Sequence, residues 1–268
     1  MTPDGRITSE FDDVVEAWDE LDDDRDDDRD DDLADLELVV LGLTGTTVAD
    51  DGLVERAFAR AAAAAGIGST PDERADAFAF ARETSGLPTL GVFRALTGDE
   101  DQAQHANAVF ESTFMDLVAA QGLQAVPGAE DLIQRLRATG VAVALTSPFS
   151  PRTRDAVLDA LGWDDLADLT LTPGEAGRGL PFPDLPLTAL LRTGASSVEG
   201  MVVVADTAGG IASGIAAGAG LVVGVLTGAH DEQTLLNAGA DAVLPSIADL
   251  PELLGYELAG SVEGLGVR

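Results

Sequence analysis

"LVVLGLTGTTVADDG", spanning Leu38–Gly52, is the segment on which the fold assignment depends. Its apolar run, Leu38–Leu41, predicts a strand that is buried on both faces. The Gly- and Thr-rich turn that follows, with acids after it, could hold an anion. GLTGTT lacks the lysine and the GxxxxGK[ST] spacing of a Walker loop, and it does not match GxGxxG. Taken alone, the segment predicts only a strand that ends in a glycine-dependent turn.

The composition excludes several kinds of chemistry and partner. The chain has 268 residues, no cysteine and no lysine, which excludes disulfides, thiolate metal sites, cysteine nucleophiles and lysine imines. A formal net charge of −33 argues against nucleic acid and acidic membranes as partners. The N-terminus is acidic and no apolar run approaches a membrane span, so we expect a cytoplasmic protein. Adaptation to high salt and a GC-rich genome are both open explanations of the acidity.

The N-terminal segment carries a disproportionate share of the charge. Residues 1–35 hold 17 acids and 3 arginines, a net charge of −14, and residues 21–32 are the low-complexity run LDDDRDDDRDDD. Like charges at this density repel one another, so residues 1–36 are predicted to form a disordered acidic arm. Within it, Ser9–Leu21 could form an amphipathic helical stretch. Cation binding or attachment to a partner remains an alternative role for the arm.

Beyond the arm, short apolar strands alternate with helices, which predicts an α/β fold with a parallel sheet covered by helices on both faces. Strands are predicted near residues 36–43, 141–147, 166–173, 200–207, 221–228 and 241–245. The interval after the first strand is too long for one crossover, so we predict a helical cap over residues 54–125, with a core formed by 37–53 and 126–268. A ligand is expected at the carboxyl ends of the strands.

Several motifs follow one another in the order found in a known superfamily. GTTVADDGLVERAF, AVPGAEDLIQRLRATGVAVALTS and GRGLPFPDL, followed by a strand that ends in Asp-Thr, resemble the haloacid dehalogenase superfamily of phosphohydrolases. The resemblance is strongest to its phosphonatase-like branch, the relatives of phosphonoacetaldehyde hydrolase, and it covers about residues 37–255. It implies a Rossmann-like core with a helical cap inserted after the first strand.

The resemblance also assigns roles to positions, and two of the expected carboxylates are missing. Gly42 occupies the position of the aspartate nucleophile, which glycine cannot replace. Thr44 occupies the position of the second acid, where the phosphonatase branch often has alanine. Asp206 matches the first acid of the Mg²⁺ motif, but Gly210 stands in place of the second. The family's Mg²⁺ would therefore lack ligands here, since this ion needs several oxygen donors.

The remaining motif positions could still bind an anion. The family's phosphate-binding hydroxyl matches Thr146, with Ser147 beside it and Pro148 in place of a glycine whose backbone N–H could face phosphate. Capping the next helix is the equally weighted alternative for Thr146. Arg178 matches the basic residue that neutralises the phosphoryl group. The predicted anion-binding set is therefore Thr46, Thr47, Thr146, Ser147 and Arg178.

Few other polar residues offer replacements for the missing groups. Asp50 and Asp51 are expected at the cap hinge, too far from the strand tip to act. His105 is expected on the surface or in the packing of a cap helix, whereas His230 could contact a ligand. Thr89 occupies the approximate position of the cap lysine that forms an imine in phosphonatases. No pair of groups supplies a convincing nucleophile and base.

Three functional hypotheses follow. The favoured one is a phosphonatase-like fold that has lost phosphoryl transfer and binds an anionic or phosphorylated small molecule. The second is an active Mg²⁺-dependent phosphohydrolase that uses a non-standard mechanism. The third is an interaction protein that works through its acidic arm. A homodimer is left open.

Overall fold

The computed structural model describes residues 36–255. The predicted acidic arm therefore lies outside the described residues apart from its last position, Leu36. The amphipathic stretch Ser9–Leu21 and the end of the predicted core, residues 256–268, also lie outside them.

The strands are β1 Leu38–Gly42, β2 Val48–Ala49, β3 Gln124–Ala125, β4 Ala142–Thr146, β5 Leu169–Leu171, β6 Met201–Ala205, β7 Leu221–Val225 and β8 Ala242–Leu244. Six of them form a parallel sheet at the centre of the fold, in the order β5-β4-β1-β6-β7-β8. The other two, β2 and β3, form a separate antiparallel pair.

Helices occupy most of the intervals between the strands. They are α1 Leu53–Ala64, α2 Pro71–Glu83, α3 Thr89–Thr97, α4 Glu100–Gln121, α5 Ala129–Ala138, α6 Pro151–Leu161, α7 Pro173–Ala176, α8 Asp184–Thr193, α9 Ala208–Ala216, α10 Glu232–Asn237 and α11 Leu250–Leu253, with a 3₁₀ turn at Ile247–Asp249 before the last of these. Helix α2 starts with a capping box between Thr70 and Glu73 and with Pro71 at its first position.

The two central strands, β1 and β6, are buried except at Gly42, the last residue of β1, as their apolar sequences predicted. Every residue of β6 is buried, and the side chains of Leu38 to Leu41 in β1 are at most 2% exposed. Val39 and Leu41 belong to the core cluster on one face of the sheet, and Leu38 and Val40 to the cluster on the other. The sheet is therefore covered on both faces, which confirms the predicted α/β class.

Four helices, α1 to α4, lie between β2 and β3, within the interval predicted to be a cap. The short β2–β3 pair, which the sequence did not predict, brings the two ends of this insert together. Treating 54–125 as a domain of its own remains a prediction.

Aromatic side chains join these helices to one another and to the core. Phe58 of α1 stacks on Phe93 of α3 with ring centroids 5.5 Å apart, and Phe93 contacts Phe110 of α4 edge-on at 6.2 Å. Phe149, in the loop after β4, lies 5.8 Å from Phe110 and 5.0 Å from Phe114. This row of rings makes one continuous apolar contact from the insert to the loop at the end of β4.

Within residues 36–255, no helix combines the length and the apolar character that crossing a membrane requires.

Candidate functional site

A cavity of about 460 Å³ lies between the four-helix insert and the carboxyl ends of β1, β4 and β6. Its core side includes Gly42, Thr44, Thr146 and Asp206, and its other side is formed by α1 to α3. This is the edge of the sheet at which parallel α/β folds place their ligands.

The position of the expected nucleophile, Gly42, has no room for a side chain. A Cβ at Gly42 would lie 2.6 Å from the Oγ1 atom of Thr46 and 3.2 Å from its Cβ. The Thr46 hydroxyl donates a hydrogen bond of 3.0 Å to Oδ1 of Asp206, and both side chains are buried. Thr46 therefore fills the space in which a carboxylate at position 42 would begin.

The second missing carboxylate, at Gly210, is equally confined. A Cβ built on this residue would overlap the Cβ of Ala205 in β6 and lie 3.2 Å from Oγ1 of Thr207. The Gly210 N–H donates to that same hydroxyl, which caps helix α9. An acid at this position would require β6 and the first turn of α9 to move apart.

Asp206, the remaining acid of the predicted metal site, is only 7% exposed and is engaged internally. Its Oδ1 accepts from Thr46, and its Oδ2 accepts from the Ala229 N–H at 3.1 Å. Burial raises the pKa of the Asp206 carboxyl, and these two hydrogen bonds oppose the rise. A Cβ on either Gly45 or Gly228 would overlap the carboxylate, so it is enclosed by backbone.

These residues do not fit a bound Mg²⁺. Both oxygens of Asp206 already accept hydrogen bonds, and the positions that would supply the other carboxylates are filled by Thr46 and Ala205. Across residues 36–255 no group of three or more His, Cys, Asp or Glu side chains could hold a metal ion. Magnesium ordinarily needs near-octahedral oxygen ligation, and this donor set does not supply it.

The predicted anion-binding residues are only partly brought together. Thr146 and Ser147 line the cavity, although the Thr146 hydroxyl also donates to the Leu41 carbonyl at 3.3 Å. Thr46 and Thr47 are fully buried, and Thr47 donates to the carbonyls of Gly42 and Leu43. The hydroxyls of Thr46 and Thr47 therefore hold the turn together and are not presented to a ligand.

Arg178 is placed elsewhere, contrary to the expectation that it neutralises a ligand in this site. The described lining of the cavity does not include it. Its side chain is 61% exposed, donates to Asp184 at 2.9 Å and lies over the Phe182 ring at 4.2 Å. Both partners are nearby in the sequence, and together they hold the guanidinium on the surface beside the start of α8.

Thr44, at the position of the second acid, does line the cavity. Its Oγ1 atom is buried and has no hydrogen-bond partner among the described residues. A hydroxyl in that situation carries an uncompensated desolvation cost, which a polar group on a ligand would relieve.

Asp50 and Asp51 lie between β2 and α1, at the expected hinge, and both line the same cavity; that they lie too far from the strand tip to act stays a prediction. The β2 strand and the turn after it return the chain toward the site. Oδ1 of Asp50 accepts from the Val54 N–H at 2.7 Å and so caps the start of α1. Burial raises the pKa of Asp50, the bond from Val54 opposes this, and the adjacent Asp51 adds a smaller rise.

The sequence also did not identify Glu55 and Arg82 as lining residues. Arg82 donates to Glu55 at 2.9 Å, and both side chains are more than half exposed. Because these residues are 27 apart in the chain and on different helices, their pairing had no local sequence signal.

The two histidines lie in different surroundings, and His230, which was expected to be able to contact a ligand, is not among the described lining residues. His105 is exposed on α4. His230 instead joins the core to the insert: its Nδ1 accepts from the Ala208 N–H at 2.9 Å, and its Nε2 lies 2.9 Å from the Arg82 carbonyl. A carbonyl can only accept, so Nε2 carries the hydrogen. Thr89, at the cap-lysine position, lines the cavity and donates to Asn107 at 2.6 Å.

The fold, a parallel sheet with a helical insert over the carboxyl ends of its strands, defines the class of protein. The haloacid dehalogenase-like hydrolase family model matches residues 36–218. The chain belongs to this family.

Individual relatives agree with that assignment. The chain is 31% identical over 144 residues to a bifunctional riboflavin kinase/FMN phosphatase of Arabidopsis thaliana, a match that covers 53% of this chain and 37% of that protein. It is 30% identical over 187 residues to phosphonoacetaldehyde hydrolase of Bordetella pertussis, covering 60% and 66% respectively. The chain thus spans about a third of the first relative and just under two thirds of the second.

Solved structures show the same fold. A hydrolase from Pseudomonas syringae superposes with a TM-score of 0.72 at 22% identity, covering 82% of this chain and 98% of that one. A phosphonoacetaldehyde hydrolase-like protein from Oleispira antarctica gives 0.71 at 24% identity, covering 83% and 92%. At these identities the likeness concerns the fold alone.

Proposed function

We propose that this chain is a haloacid dehalogenase-like protein that has lost phosphoryl transfer and uses its cavity to bind a small molecule. The proposal rests on Thr46, whose hydroxyl is hydrogen-bonded to Asp206. The Thr46 side chain occupies the space at Gly42 where an attacking carboxylate would stand. Without a carboxylate at position 42, no covalent phosphoryl-enzyme can form by the family's route. Because Gly210 is confined, the second carboxylate of the metal site is missing as well.

Binding without turnover is consistent with what remains. The cavity of about 460 Å³ is retained and falls within the range typical of small-molecule sites. Thr44, Thr146 and Ser147 keep polar groups at its base. An anionic or phosphorylated ligand was the sequence-based expectation, and the several carboxylates in the lining argue against it.

A second candidate, a Mg²⁺-dependent phosphohydrolase with a non-standard mechanism, is favoured by family membership and by relatives named FMN phosphatase and phosphonoacetaldehyde hydrolase. It would need water as the nucleophile and a further acid in addition to Asp206. A role for the acidic arm in partner binding concerns residues outside the described part of the chain. A homodimer, a cytoplasmic location and the absence of nucleic-acid or membrane partners likewise remain proposals.

One assay separates the first two candidates. Purified full-length protein is incubated with Mg²⁺ and a panel of phosphate monoesters that includes FMN, together with phosphonoacetaldehyde. We expect no turnover above that of the Asp206→Ala variant prepared in parallel. Mg²⁺-dependent turnover that the Asp206→Ala substitution abolishes would overturn the proposal and support the hydrolase.

Replacing Gly42 by aspartate tests the same site by restoring the missing nucleophile. Gly42→Asp alone is expected to restore no phosphatase activity. Gly210 still leaves the metal one carboxylate short, and Thr46 occupies the space of the new side chain. Strong activity in that single variant would show that the site is less altered than we infer.

A further inference from the structure

The charged side chains that line the cavity are mostly acidic. Asp50, Asp51, Glu55 and Asp206 contribute carboxylates, and Arg82 is the single cation among the described lining residues. Arg82 is bonded to Glu55 at 2.9 Å, so its charge is already matched by one of the four acids. With every group ionised, the lining carries a net charge of −3, counted as four acids against one arginine.

Such a lining opposes a phosphate ester and favours a cation. An incoming phosphoryl group would approach Asp206 at the strand tips and Asp50 and Asp51 at the hinge, and like charges in a partly desolvated site repel strongly. The Arg178 expected to offset this charge is held on the surface by Asp184.

Another part of the lining suits an apolar body. Phe58, Phe78 and Phe93 line the cavity, with Phe58 edge-on to Phe78 at 5.2 Å and stacked on Phe93 at 5.5 Å. Leu87 and Val92 extend this surface. Because Phe58 and Phe93 stack on each other and are at most 6% exposed, the partly exposed Phe78 is the ring of the three most open to an organic cation or an apolar body.

A second observation at the base of the cavity also points to a ligand. The buried Thr44 Oγ1 has no partner within the described part of the chain. Because Thr44 lines the cavity, rotation about its χ1 torsion can turn this hydroxyl toward a ligand. It can then accept a hydrogen bond from an ammonium N–H, whereas a quaternary ammonium offers none.

We propose that the cavity binds a small organic cation, a primary amine with an aromatic or alkyl body, whose ammonium group is surrounded by the acidic lining and whose body packs on the phenylalanines. The inference rests on the proposed function, because it names the ligand class of the same cavity.

The test uses one body with different head groups: 4-phenylbutylamine, 4-phenylbutanol and 4-phenylbutanoate, titrated into the full-length protein by calorimetry. We expect one amine per chain, bound at least about tenfold more tightly than the alcohol, and the carboxylate bound more weakly than the alcohol. The uncharged alcohol reports on the cavity alone, since it shares the body but not the charge.

Variants locate the effect in the cavity rather than in the overall charge of the chain. Asp50→Asn/Asp51→Asn should weaken amine binding at least about fivefold more than it weakens alcohol binding. Asp116→Asn, on an exposed residue of α4 outside the cavity lining, is the control for a charge lost elsewhere in the chain and should leave both unchanged. Arg82→Gln should tighten amine binding, because it frees the charge of Glu55.

The outcomes distinguish this inference from the function on which it rests. If the carboxylate or inorganic phosphate binds more tightly than the alcohol, the cation inference is overturned while small-molecule binding stands. Amine binding that responds to Asp116→Asn as much as to the double variant would also overturn it, since the charge of the whole chain would then be the cause. If none of the three compounds nor phosphate binds, both proposals fail for this cavity.

Discussion

The packing around Gly210 limits the side chains that this position can carry. A Cβ there would overlap the Cβ of Ala205, which belongs to a central strand and cannot swing aside as a flexible side chain would. We expect Gly210→Ala to lower the free energy of unfolding by about 1–3 kcal/mol, although alanine is the better helix former. Urea unfolding followed by circular dichroism measures this change.

A compensating substitution separates the steric cause from other effects. Ala205→Gly removes the opposing methyl group, so the double variant Ala205→Gly/Gly210→Ala should lose less stability than the sum of the two single changes. If the two losses simply add, the overlap is not what makes glycine necessary at position 210.

The pH dependence of stability at Asp50 has a definite sign. Its folded-state pKa is raised above its ordinary value of 3.8, mainly by burial, so the folded chain holds this proton to a higher pH than the unfolded chain. The stability contributed by the group is thus fully present below the unfolded pKa and is lost as pH rises through the folded one. The stability of the wild type minus that of Asp50→Asn should therefore fall as the pH rises above about 4.

Urea titrations across that range measure the difference, and Asp116→Asn corrects for the loss of one charge from an acidic chain. A difference that increases with pH would mean that hydrogen bonding from Val54 outweighs burial at Asp50.

At the level of single residues, the sequence showed which expected side chains are missing better than it showed where the remaining side chains point. Gly42 and Gly210 were found because each interrupts a motif that otherwise continues on both sides. That Thr46 turns inward to Asp206 was not predictable, since a hydroxyl can face a ligand or its own turn with the same sequence. The placement of Arg178 did have a local signal, because Asp184 and Phe182 follow it closely.

Among the elements, those with long continuous patterns were predicted and the shortest were not. The apolar runs of β1, β4, β6 and β7 identified the parallel sheet because only strands covered on both faces exclude polar residues so completely. The two-residue strands β2 and β3 carry no such pattern, since Val48 pairs with Ala125 from a distant part of the chain. Without these strands, the sequence did not predict that Asp50 and Asp51, which follow β2, line the cavity.

His230 joins two elements that are far apart in the chain, the N-terminal turn of α9 and the end of α2. We expect His230→Ala to cost about 1–2 kcal/mol, because it leaves the Ala208 N–H without its acceptor. It should also speed amide hydrogen exchange in the last turn of α2. The exposed His105→Ala is the matched control and should change neither. Unchanged exchange in α2 would show that the contact with the Arg82 carbonyl does not restrain the insert.

For the whole molecule, the formal net charge of −33 affects stability as well as partner choice. Repulsion among the acids opposes the compact state, and salt screens it over a distance of about 10 Å at 0.1 M. The ion pairs between described residues involve mostly half-exposed arginines and offset little of this repulsion.

Salt and magnesium should therefore act on this chain through screening alone. We expect the Tm of the full-length protein to rise with NaCl, and to rise by the same amount with MgCl₂ in the wild type and in Asp206→Asn, since Mg²⁺ then binds only diffusely to acidic residues. A ligand held at the strand tips would instead add RT ln(1 + [Mg²⁺]/Kd) to the wild type alone. Calorimetric scans of both proteins, in NaCl and in MgCl₂ at matched ionic strength, measure the difference. A magnesium-specific rise that Asp206→Asn removes would mean that the carboxylate releases Thr46 and Ala229 to bind metal, and the inference that these residues do not fit Mg²⁺ would be overturned.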